Sequence, residues 1–103
     1  MGDSEKRGAK RISFPCEVEC TGAGANPLNP RISDLSVTGA FLDAMVEMPA
    51  GARMNLKFTL PGGTVLAVAA EVVHSMPHFG MGVRFVGLTD EQRRAIERVI
   101  EAS

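Results

Sequence analysis

Met54-Asn55-Leu56-Lys57-Phe58-Thr59-Leu60-Pro61-Gly62-Gly63-Thr64-Val65-Leu66-Ala67-Val68 is the stretch that decides the fold. Met54, Leu56, Phe58 and Leu60 alternate with Asn55, Lys57 and Thr59, a period of two that marks a strand with one buried face. Pro61-Gly62-Gly63 turns a hairpin, and Val65 to His74 follows as an apolar, β-branched run whose only charge is Glu71. A hairpin-length turn joins antiparallel strands and leaves no room for the helical crossover of a parallel sheet.

The same period extends upstream. Ile12, Phe14, Cys16, Val18 and Cys20 are apolar while Ser13, Glu17 and Glu19 are polar, which predicts one first strand. Pro15 lacks a backbone donor and suits an edge position or a bulge near the beginning of that strand. Thr21 to Pro30, rich in Gly, Asn and Pro, reads as a loop. Arg31 to Leu35 and Ala40 to Ala44 read as two short strands joined through Ser36-Val37-Thr38-Gly39, with Gly39 available for a positive φ or a close backbone approach. Pro49-Ala50-Gly51 breaks the chain before the Met54 strand, and Gly82 to Val86 forms the last strand after Pro77 to Gly80. Thr89-Asp90-Glu91-Gln92 is a capping box, so a helix over 90–102 is expected, its Ala95, Ile96, Val99 and Ile100 stripe packing on the sheet. About six short antiparallel strands and one amphipathic helix point to an all-β barrel or sandwich with the helix covering an opening.

At 103 residues the chain amounts to one domain, too small for a deep enzyme cleft, so a surface site is expected. A net charge of −1 excludes the global basicity of non-specific DNA or RNA binding, so an anionic ligand must be met locally. Lys6, Arg7, Lys10 and Arg11 supply that local charge. No apolar run approaches the roughly 20 residues of a membrane span and no signal-peptide pattern follows the basic residues, so a cytoplasmic protein without membrane insertion is expected. Cys16 and Cys20 share a strand face about 13 Å apart at roughly 3.3 Å per residue, too far to pair, and read as small buried apolar side chains.

Two motifs carry chemistry. Arg7-Gly8-Ala9-Lys10-Arg11 offers two guanidinium forks, each able to grip phosphate bidentately, to bond guanine O6 and N7, or to stack on a purine. Asp34-Leu35-Ser36-Val37-Thr38-Gly39 offers a carboxylate and a hydroxyl that, in an extended segment, face one side together. A carboxylate accepts well from the N1–H and N2–H of guanine, a donor pair that adenine lacks. No nucleophile, base and orienting residue stand at a recognisable spacing, so neither catalytic residues nor an enzyme is expected. His74 and His78 make a poor metal pair across Pro77, and Arg84 reads as a solvated strand arginine, with an indirect contact to the site as the other reading. With no Trp or Tyr and five Phe, the chain lacks the stacking platform of a single-strand nucleic-acid binder.

R-x-x-x-R followed about two dozen residues later by D-x-S-x-x-G resembles the signature of the PilZ domain, a bacterial cyclic di-GMP receptor module. The resemblance runs on through Pro49-Ala50-Gly51, Leu60-Pro61-Gly62-Gly63 and Gly80-Met81-Gly82-Val83-Arg84-Phe85-Val86 to the terminal helix. It implies a split, six-stranded antiparallel β-barrel over residues 12–103 with a C-terminal α-helix, preceded by a flexible segment, 1–11. It further implies cyclic di-GMP as ligand, with no separate cofactor or metal. Arg7 and Arg11 would clasp phosphate and guanine, Asp34 and Ser36 would read guanine, Gly39 would shape the turn, and Lys6 and Lys10 would add weaker attraction. Ligand binding would reorder the N-terminal segment and signal to a downstream protein. The alternative is a nucleotide-independent PilZ-like adaptor for motility or pilus machinery.

Overall fold

The structure, a computed structural model of the chain, describes residues 10–21, 31–43, 48–76 and 79–102. Strands β1 (Ile12–Glu17), β2 (Glu19–Thr21), β3 (Arg31–Leu35), β4 (Gly39–Asp43), β5 (Arg53–Thr59), β6 (Val65–Met76) and β7 (Gly80–Val86) precede one helix, α1 (Asp90–Glu101). All pairings are antiparallel, and the sheet order is β1-β3-β4-β7-β6-β5-β2. The two edge strands are consecutive in sequence, so the sheet curls round until its edges meet in one bent ribbon. Counting that ribbon as one strand gives the expected six-stranded split barrel.

The bend corrects the expectation of a continuous first strand. The chain leaves β3 after Glu17↔Arg31 and joins β5 at Glu19↔Lys57, with Val18 as the corner. Val18 and Cys20 remain buried across the corner, so the apolar period of two survives a change of partner and does not betray it. A register shift between Ser13 and Cys16 brackets Pro15, whose missing donor is tolerated on this edge. Cys16 is half-buried rather than buried, because it lies at the seam, where its thiol donates to the Thr59 carbonyl at 3.6 Å. Burial pushes the Cys20 thiol above its ordinary pKa, and its Sγ rests 3.5 Å from Met54 Sδ.

The hairpin of β5 and β6 runs in unbroken register from Arg53↔Glu71 to Thr59↔Val65, as the alternating sequence requires. Its inward residues Met54, Leu56, Phe58, Leu66, Val68 and Ala70 meet Ile32, Leu35, Leu42 and Met81 from the other half of the sheet in one core. The Phe58 and Phe85 rings stack with centroids 6.5 Å apart. Of the loop expected over Thr21 to Pro30, Thr21 closes β2 and the remainder lies outside the described residues, as do Ala44 and Pro77-His78.

Thr89 caps α1 as its sequence requires: its Oγ1 accepts from the Gln92 amide, and the Thr89 amide donates to Gln92 Oε1, both at 3.0 Å. The Gln92 side-chain amide also donates to the Ala67 carbonyl at 3.0 Å, tying the first turn to β6. Ala95, Ile96 and Ile100 enter the core, while Val99 is half-buried. Ile96 is fully buried, and Ile96→Ala is expected to lower unfolding free energy by about 2–5 kcal/mol in urea denaturation.

Candidate functional site

The β1–β3 register begins at Ile12↔Leu35 and Ser13↔Asp34. It therefore delivers Arg11, just before β1, to the turn that follows β3, although roughly two dozen residues separate the two motifs. The turn is rigid by construction. The Ser36 amide donates to the Gly39 carbonyl at 2.9 Å, and the Phe85 amide on β7 donates to the Thr38 carbonyl at 2.9 Å. Ser36 Oγ accepts from the amides of Thr38 at 3.2 Å and Gly39 at 3.1 Å, and lies 3.1 Å from Thr38 Oγ1.

Ser36 is 1% exposed, so its hydroxyl faces the turn backbone, whereas the sequence pattern puts it beside Asp34 toward a ligand. The reason is local. A register shift between Ile32 and Asp34 breaks the alternation of β3, and the chain turns immediately after Leu35, so Leu35 and Ser36 are buried in succession. Asp34 alone remains half-buried on the outer face, between Ser13 on β1 and Phe41 on β4. Gly39 serves close approach: a Cβ there would collide with the Val83 carbonyl oxygen. The backbone it would strike belongs to β7 and cannot move away like a side chain.

Arg11, His74 and Arg84 rim a shallow cleft of about 240 Å³ whose floor includes Gly39, Gly82 and Val83. Arg11 and Lys10 are exposed, and neither Arg11 nor Asp34 makes an ion pair among the described residues. Arg7 and Lys6, with the rest of the expected flexible segment through Ala9, lie outside the described residues. The sequence reading missed His74 as a cleft residue and allowed Arg84 only an indirect contact with the site. Pairing brings them in: Gly39↔Arg84 joins β4 to β7, and His74↔Gly82 joins β6 to β7. A shift between Val72 and His74 leaves Val73 and His74 both exposed, and the imidazole lies over Gly82, where a Cβ would come within 2.7 Å of it. No local sequence signal reports either placement.

A larger groove of about 800 Å³ lies at the seam, lined by Cys16, Glu17, Glu19, Arg31, Lys57 and Val65. Its charges are of both signs and it lacks the motif residues, so the smaller cleft is the better candidate for an anion. Among the described residues no three His, Cys, Asp or Glu side chains gather as a metal site. No helix among them is long and apolar enough to cross a membrane.

The sequence matches the family model described as PilZ domain over residues 5–102. The chain belongs to the PilZ domain family. Among solved structures, this PilZ domain is similar to the Bacillus subtilis inhibitor of motility MotI/DgrA at TM-score 0.79 and 12% identity, over 91% of this chain and 49% of that one. The PilZ domain therefore spans about half of the MotI/DgrA chain. It is also similar to the PilZ domain of YcgR from Escherichia coli, solved with c-di-GMP, at TM-score 0.74 and 19% identity over 91% and 88%. The PilZ domain of CeSA from a cellulose-synthesizing bacterium gives 0.69 and 18% over 91% and 97%. These likenesses are likenesses of fold. No curated protein matches the chain.

Ser36→Ala in this PilZ domain strips the buried Gly39 amide and the part-buried Thr38 amide of an acceptor and is expected to cost about 1–3 kcal/mol in urea denaturation. Gly39→Ala is expected to lower the thermal midpoint further, because overpacking adds about 1–3 kcal/mol of strain against fixed backbone.

Proposed function

We propose that this PilZ domain is a cyclic di-GMP receptor, and that the ligand lies across the outer face of the barrel between Arg11 and the turn after β3. The observation that carries the reading is the β1–β3 register, which sets the Arg11 guanidinium, without an ion-pair partner among the described residues, beside the Asp34-to-Gly39 turn. Arg7 and Arg11 clasp phosphate and guanine through their planar forks. Asp34 accepts from guanine N1–H and N2–H, while Ser36 and Gly39 act through the shape of the turn. Lys6 and Lys10 add attraction without fixing orientation.

In this reading the protein is a cytoplasmic binding protein rather than an enzyme. Arg7 and Arg11 close the N-terminal segment over the ligand, and the altered surface is what a downstream protein meets. The YcgR PilZ domain solved with c-di-GMP supports the choice of ligand class.

Titration calorimetry of the folded chain with cyclic di-GMP, against GTP and cyclic GMP, tests the proposal. Binding of the cyclic dinucleotide alone is expected, weakened about ten- to a hundredfold in Arg7→Ala, Arg11→Ala and Asp34→Ala, the cost of a charge-assisted contact. Absence of heat with cyclic di-GMP would overturn it.

A further inference from the structure

Arg84 belongs to neither motif, yet it lines the same cleft as Arg11. It stands opposite Gly39 on one side of β7 and opposite Glu71 on the other. Its Nη2 donates to Glu71 Oε1 at 2.6 Å, and Arg53 Nε stands 3.8 Å from the same oxygen. The Glu71 side chain is 24% exposed and that of Arg84 61%, so a sheltered carboxylate holds a guanidinium whose outer part stays open to solvent.

An isolated surface ion pair contributes little and fixes little. This one differs in two respects. The hydrogen bond to Glu71 uses one of the five N–H groups of Arg84, and among the described residues the other four have no partner. Arg53 supplies a second cation to Glu71, so the trio keeps a net positive charge, and Arg84 is the member that lines the cleft. A guanidinium held in one orientation loses little freedom when it meets a ligand, which favours binding over an equally charged but free side chain.

We infer that Arg84, oriented by Glu71, is a further ligand-binding residue that meets a phosphate or the O6/N7 edge of a guanine from the β7 side of the cleft. The inference rests on the cyclic di-GMP reading above. Glu71 is a positioning residue: it does not touch the ligand and acts through Arg84.

Calorimetry with cyclic di-GMP on the full chain tests both roles. Arg84→Met is expected to weaken binding about ten- to a hundredfold, and Arg84→Lys to recover part of the loss, because it restores charge without the fork. Arg98→Met, on the helix and away from the cleft, should bind as the parent does. Glu71→Gln should weaken binding in the parent and change nothing in the Arg84→Met background, a coupling that a merely structural effect of Glu71 would not produce. Should Arg84→Met fail to fold by circular dichroism, Arg84→Lys carries the test. Parent-like affinity in Arg84→Met, or in Arg84→Lys if only that variant folds, overturns the inference and leaves the receptor reading standing. Silence of the parent protein overturns the receptor reading itself.

Discussion

The pairing of β1 with β3, opened by Ile12 opposite Leu35, is the contact on which barrel and site both depend. It fixes one edge of the sheet, and the Val18 corner then carries the same ribbon to β5 at the other edge, where Glu19 faces Lys57. A seven-stranded antiparallel sheet would otherwise expose two edges open to further pairing. Because the ribbon is covalently continuous, one loop closure serves both edges. The same register sets Arg11 at the mouth of the turn between β3 and β4. Barrel closure and the approach of Arg11 to the turn thus draw on the same ribbon.

Much of this was legible because it was local. The alternation from Met54 to Leu60 and the Pro-Gly-Gly turn dictated a hairpin that the structure holds in unbroken register, and Thr89 with Gln92 dictated where α1 begins. Periodicity was silent on the Val18 corner, since inward residues continue inward while the partner changes. It misled at Ser36, where a bulge in β3 and an immediate turn replace alternation with two successive buried residues. His74 and Arg84 were illegible for another reason. Their place in the cleft depends on pairings across β4, β7 and β6: Gly39↔Arg84 joins residues 45 apart in sequence, and His74↔Gly82 follows a register shift that alternation does not report.

The turn explains why the D-x-S-x-x-G pattern needs its residue types even though only Asp34 stands on the open face. Ser36 satisfies two amides that would otherwise be unpaired in a buried turn, and Gly39 admits the Val83 carbonyl where any side chain would collide. What they do in the fold is hold the backbone of the turn in one place. Preorganisation of this kind acts on affinity by removing the entropy cost of ordering the site when a ligand arrives.

Charge placement completes the argument. A chain of net charge −1 has no general attraction for polyanions, so whatever anion it selects must be attracted over a short range. Arg31 and Arg93 are each paired with a carboxylate, and Arg53 shares Glu71 with Arg84. Arg11, like the helix residues Arg94 and Arg98, has no such partner among the described residues, and it alone of the three lies beside the hydrogen-bonded turn after β3. Two arginines, Arg11 and Arg84, lining one cleft beside a hydrogen-bonded turn distinguish this patch from the mixed charges of the larger seam groove.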